Sequence, residues 1–179
     1  MTGQIIFDLE TQRLAQEVGG WKNINRMGFA AGVTLEHETG VVKRYTEPEV
    51  PALLGELQSA ESVIGFNLLR FDYEVLNPYG FQITPQISTK TLDIMLEVER
   101  ELGFRLPLSN LAEATLGAGK SADGLKSVEW YKAGKIEQVL DYCEQDVRVT
   151  YRLWRHGCEH GHVLYTDRRQ ATRQVIVHW

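Results

Sequence analysis

Carboxylates interrupt apolar sequence at three places along this 179-residue chain. In Ile5-Ile6-Phe7-Asp8-Leu9-Glu10-Thr11 two acids stand two residues apart, a spacing that puts both side chains on one face of a strand. Like charges side by side in half-apolar surroundings are costly unless a cation or hydrogen bonds offset them. A strand that stops at Phe7, leaving both acids in a solvated turn, fits the same residues. The second place, residues 65–76, carries Asn67 at the end of an apolar run and Asp72 at the opening of a helical pattern. Strand carboxyl ends are where α/β sheets bind ligands, while turn formation and helix capping are the plainer roles for such residues. In the third, residues 141–147, Asp146 breaks an apolar helical stripe through Val139, Tyr142, Val149 and Leu153. Tyr142 lies one turn earlier on the same face, so a buried Tyr-Asp hydrogen bond is the alternative to a site there. Glu144, rotated by roughly 200° from Asp146, is expected to face water.

The elements that must hold these residues follow from periodicity. Strands are expected at 4–8, 28–35 and 41–45, the last two split by a polar turn at 36–40. Pro48 and Pro51 open a helical pattern through Leu53, Leu54 and Leu57, and 62–66 is a short continuous apolar run of the kind a buried parallel strand shows. Helices are expected at 71–79, 92–102, 108–116 and 136–154, with a loose loop at 117–124. Two alternating segments at 162–166 and 172–179 predict a terminal hairpin. The expected architecture is α/β, a mixed sheet flanked by helices, within a single domain over 1–179.

The order Asp-x-Glu on a first strand, Asn-x4-Asp at a later strand-to-helix junction and Tyr-x3-Asp on a late helix resembles the DEDD exonuclease superfamily. The resemblance is to its branch with Tyr in the third motif, close to the proofreading domains of family B DNA polymerases. The matching positions are Asp8 and Glu10, Asn67 to Asp72, and Tyr142 to Asp146, about 140 residues of chain with no motif position departing. The resemblance implies a ribonuclease H-like mixed sheet. It also implies 3′-5′ hydrolysis of the terminal phosphodiester of single-stranded nucleic acid, DNA favoured over RNA, with release of nucleoside 5′-monophosphates.

Asp8, Glu10, Asp72 and Asp146 would then hold two divalent ions, for which hard oxygen donors select Mg²⁺ or Mn²⁺. The ions would activate water and stabilise the leaving 3′ oxygen, and Tyr142 would orient that water. Thr11, Asn67, Phe71, Lys120, Arg168 and Arg169 are the expected substrate contacts, and a replication or repair protein is the expected partner. Asp93 matches a recurrent acid of the family, with capping its plainer role. An exoribonuclease acting on RNA 3′ ends and a noncatalytic nucleic-acid-binding module of a helicase or polymerase complex are the competing readings.

Composition sets the outer bounds. With 43% apolar, 9% aromatic and 24% charged residues the chain can build one sizeable core, which excludes disordered and collagen-like classes. Apolar runs fall far short of the roughly 20 residues that span a bilayer, and the start of the chain has no signal-peptide pattern, so a cytosolic protein is expected. Cys143 and Cys158 are expected as reduced thiols. The net charge of -5 divides into -8 before residue 150 and +3 from Thr150 onward, which permits an acidic site beside a basic C-terminal surface. Gly119-Lys120-Ser121 lacks the upstream glycine of a P-loop, since Ala114 stands there. The run from His156 to His162 matches no standard zinc finger and is expected to face solvent at a helix-to-hairpin turn.

Overall fold

A computed structural model describes residues 3–117 and 124–179. Its main sheet has the order β3-β2-β1-β4-β5. β1 (Gln4–Thr11) lies at the centre, antiparallel to β2 (Phe29–Glu36) and parallel to β4 (Ser62–Gly65). β3 (Val42–Thr46) and β5 (Thr91–Asp93) form the edges. Between β3 and β4 runs α1 (Val50–Ser59), where a Pro in the first turn costs no intrahelical donor.

Period-2 geometry sorts β1 cleanly. Ile5, Phe7 and Leu9 pack in one core with Leu53 and Leu57 of α1, whereas Ile6 faces the other core. That second core is built on Val139, Leu140, Cys143 and Val147 of α7 (Ile136–His160). Asp8 and Glu10 continue the Ile6 face, so the side of the central strand that carries the acids is the one α7 covers. The strand runs on through Thr11, which removes the solvated-turn alternative for the acids.

Several expected elements change. A five-residue π-helical turn, Leu68–Asp72, and the short α2 (Tyr73–Leu76) replace a continuous helix over 71–79. Leu92 and Asp93, expected to open a helix, join Thr91 in β5, parallel to β4 and leading straight into α4 (Ile94–Leu102). Its three residues are too few to show a period of their own. The short α3 (Pro85–Thr89) and α6 (Gly124–Lys132) were not expected, whereas α5 (Leu108–Leu116) falls where the pattern put it.

α7 continues past Trp154 to His160, and Gly157 leaves room for the Trp179 indole to lie on the helix, its Nε1 donating to the Trp154 carbonyl at 3.1 Å. A Cβ at Gly157 would meet that nitrogen at 2.3 Å. The hairpin β6 (His162–Thr166) and β7 (Thr172–Ile176) follows. Among the described residues no helix is long and apolar enough to cross a membrane.

Candidate metal centre

Parallel pairing of β1 with β4 covers only Gln4 to Ile6. Beyond Ile6 the two strands part, and β1 projects its carboxyl end into the gap, the place where the connection reverses across the sheet and a crevice must open. One cleft there contains Asp8, Glu10, Asp72 and Asp146, with Trp21, Phe66, Phe71 and Val128 among its apolar walls. Carboxylate oxygens of Asp8, Glu10 and Asp146 all lie within 4.8 Å of one another. Asp72 lines the same cleft but stands outside that closest group.

Local structure explains each position. The π turn ends at Asp72, which is 2% exposed and accepts a hydrogen bond from the Leu9 amide at 3.1 Å. This bond ties the second acidic segment to the first strand. Asp93 organises the same loop. Its carboxylate accepts from the backbone amides of Asn67 (2.8 Å) and Leu69 (3.1 Å) and caps α4 through Leu96, so capping is its role here. Asn67 takes a left-handed conformation, φ 66°, and its Oδ1 is buried without a protein partner. Such a conformation is uncommon outside glycine.

The electrostatics are those of crowded acids under cover. Burial, then the charges of Asp72, Asp146 and Glu10, hold the Asp8 carboxyl well above the usual carboxylate range. Burial pushes Glu10 up to about 8, with the Ser127 hydroxyl opposing and Asp146 adding to the rise. Asp72 is raised by burial and then by Asp93. Every donor in the closest group is a carboxylate oxygen, a set suited to a hard divalent ion, and a cation would remove the repulsion that raises these values. Cys143 adds no soft ligand. Its thiol lies 3.3 Å from the Asp8 carbonyl oxygen, and burial followed by the surrounding carboxylates pushes it well up, keeping it protonated.

Of the other expected site residues, Tyr142 is 8% exposed on α7, its ring edge-on to Trp130 with centroids 6.2 Å apart. Thr11 and Phe71 line the cleft, although the Thr11 hydroxyl already donates to the Arg13 carbonyl. Lys120 lies outside the described residues. Arg168 and Arg169 line a separate groove with Phe104, Arg105 and Tyr165. Glu144 does not simply face water, because Arg44 and Arg148 grip its carboxylate at 2.6 and 2.7 Å.

Trp21, 70% exposed and 6.3 Å from the Phe71 ring, is a cleft residue that sequence reasoning passed over. It stands in an irregular 3₁₀ segment with no periodicity to flag it. Cys143 and Ser127 were missed too. An apolar stripe explains the first, and the second sits on the unexpected α6.

The RNase_H_2 family, of the RNase_H superfamily, matches residues 5–157. No curated protein matches the chain.

Proposed function

Taking as premise that the chain belongs to the RNase_H superfamily, we propose that it is a 3′-5′ exonuclease of the Tyr-containing DEDD type acting on single-stranded ends, with DNA favoured over RNA. Membership of the superfamily points to metal-dependent nuclease chemistry. The observation that carries the finer reading is the convergence of Asp8, Glu10 and Asp146 within 4.8 Å, with Asp72 in the same cleft. These four positions come from the three segments that the exonuclease pattern requires.

Asp8, Glu10, Asp72 and Asp146 would hold two Mg²⁺ or Mn²⁺ ions, which when bound activate water and stabilise the departing 3′ oxygen of an in-line displacement. The chain's own residues do the rest. Tyr142, one turn from Asp146, orients the attacking water. A phenol hydroxyl is a poor base at neutral pH, so orientation is its contribution. The terminal base packs on Phe71 in the apolar wall, Thr11 and Asn67 position the terminal nucleotide, and the walls exclude bulk water. Since Arg168 and Arg169 line another groove, they contact strand away from the scissile bond.

Matched DNA and RNA oligomers labelled at either end and digested with Mg²⁺ or Mn²⁺ test the reading. The expected result is nucleoside 5′-monophosphate from the 3′ end, faster on DNA. Faster release from RNA turns the assignment to an exoribonuclease. Internal cuts, or no metal-dependent release at all, overturn it.

A further inference from the structure

Far along α7 from Asp146, three histidines gather where the helix gives way to the hairpin. His156 and His160 are one helical turn apart, the i, i+4 relation that places two imidazoles on one face for a shared ion. His162 opens β6 on the far side of the Gly161 turn, and the left-handed conformation of Gly161, φ 69°, folds the chain back. The His156 and His160 rings stack with centroids 4.2 Å apart and planes at 14°, and the His162 ring lies 5.7 and 6.1 Å from them.

The hydrogen bonds decide which nitrogens are available. Nδ1 of His160 lies 3.1 Å from the His156 carbonyl oxygen, and Nδ1 of His162 lies 3.0 Å from the His160 carbonyl oxygen. A carbonyl can only accept, so both Nδ1 atoms carry the proton, and in the neutral imidazole Nε2 is the nitrogen that presents a lone pair. This arrangement is how proteins orient metal-binding imidazoles, with one nitrogen anchored to a backbone carbonyl and the other left for the ion. The Nε2 of His156 is buried and has no hydrogen-bond partner, an unmet need in a group that burial disfavours without one.

We propose that His156, His160 and His162 form a second metal site, selective for a late first-row dication such as Zn²⁺, which clamps the end of α7 to β6. Imidazole nitrogens suit Zn²⁺, whereas the carboxylate cleft suits hard ions, so the two sites sort metals by donor chemistry. Among the described residues only the cleft carboxylates of Asp8, Glu10 and Asp146 already converge within 4.8 Å, so the stacked pair has to open for this. Rotating His156 about χ2, a broad torsion, turns a nitrogen that gives up no hydrogen bond. Cys158 is exposed and Glu159 is paired with Arg155, so water takes the fourth position.

The test uses the full chain and Zn²⁺ alone, with excess Mg²⁺ present to compete at the carboxylates. Calorimetry, thermal melting and histidine NMR are run on wild type, His160→Gln and His162→Gln. In wild type, Zn²⁺ is expected to shift the resonances of the three clustered imidazoles while leaving His37 and His178 unmoved, and to raise Tm with its concentration. Each Gln variant, changed at a partly or fully exposed position, is expected to lose about tenfold or more in Zn²⁺ affinity and most of the Tm rise. Equal Zn²⁺ affinity and equal Tm response in all three proteins, or Zn²⁺ shifts absent from the cluster, overturns the proposal. None of these readouts depends on nuclease activity.

Discussion

At the scale of single residues, the carboxylate cleft stores repulsion. Asp8, Glu10 and Asp72 are raised mainly by burial and then by neighbouring carboxylates, Asp8 by Asp72 and Asp146, Glu10 by Asp146 and Asp72 by Asp93, so each is adverse to the fold when charged and without a cation. Asp8→Asn is therefore expected to lower metal-dependent turnover by about three orders of magnitude or more while raising Tm in chelator. Near-normal turnover with a lowered Tm would show that Asp8 is structural. Tyr142→Phe separates orientation from packing, since the ring that meets Trp130 stays in place. Single-turnover rates at saturating metal are expected to fall by about one to three orders of magnitude across pH 6 to 9, keeping the shape of the wild-type profile. An unchanged rate would reduce Tyr142 to a core phenol.

Among the elements, the junction after β4 does most to place Asp72, and Asp93 holds that junction together. Three backbone amides, those of Asn67, Leu69 and Leu96, converge on its carboxylate. Asp93→Ala leaves half-buried donors unmet and removes the α4 cap, at an expected cost of about 2–4 kcal/mol. Asp93→Asn, which keeps an acceptor oxygen, is expected to recover a good part of it. Denaturant melts of the two variants check this, and equal stabilities would mean that the amides find water instead. The same junction shows why a strand was missed. β5 pairs for only three residues before its last one, Asp93, becomes the cap of α4, and the apolar period of α4 extends back over Leu92.

Across the whole molecule, the buried acids couple stability to pH. Glu10 stands at about 8 in the folded chain against 4.5 ordinarily, so the folded state keeps a proton that the unfolded chain has released. In chelator the stabilisation from this group is complete below about pH 4.5 and is lost as pH rises through about 8. His156 acts in the opposite sense. Its lowered value means that stability is gained as pH rises through the ordinary imidazole range. Melts of wild type and Glu10→Gln in chelator at pH 5.5 and 8.5 isolate the acid, because the histidine contribution is common to both. The variant is expected to show the smaller drop, and saturating Mg²⁺ to shrink the drop in wild type. Equal drops in both proteins would mean that Glu10 is ionised and solvated in the fold.

Long periodic segments carried most of what the sequence by itself determined. The helix holding Tyr142 and Asp146, the first strand as far as Asp8, and the hairpin at 162–176 show their periods over enough residues to be read locally, and the order of the acids resembled an exonuclease pattern. Contacts between distant segments decided the rest. Only pairing across the sheet shows that β1 continues to Thr11, that residues 91–93 are a strand, and that Asp72 is tied to the Leu9 amide while standing outside the closest three-carboxylate group. The stacking of His156 on His160 and the packing of Trp21 beside Phe71 are likewise matters of side-chain placement. Periodicity reports which face of an element is apolar. How far apart two faces come to rest is set by packing among segments far apart in the chain, and that distance makes acids or imidazoles a site.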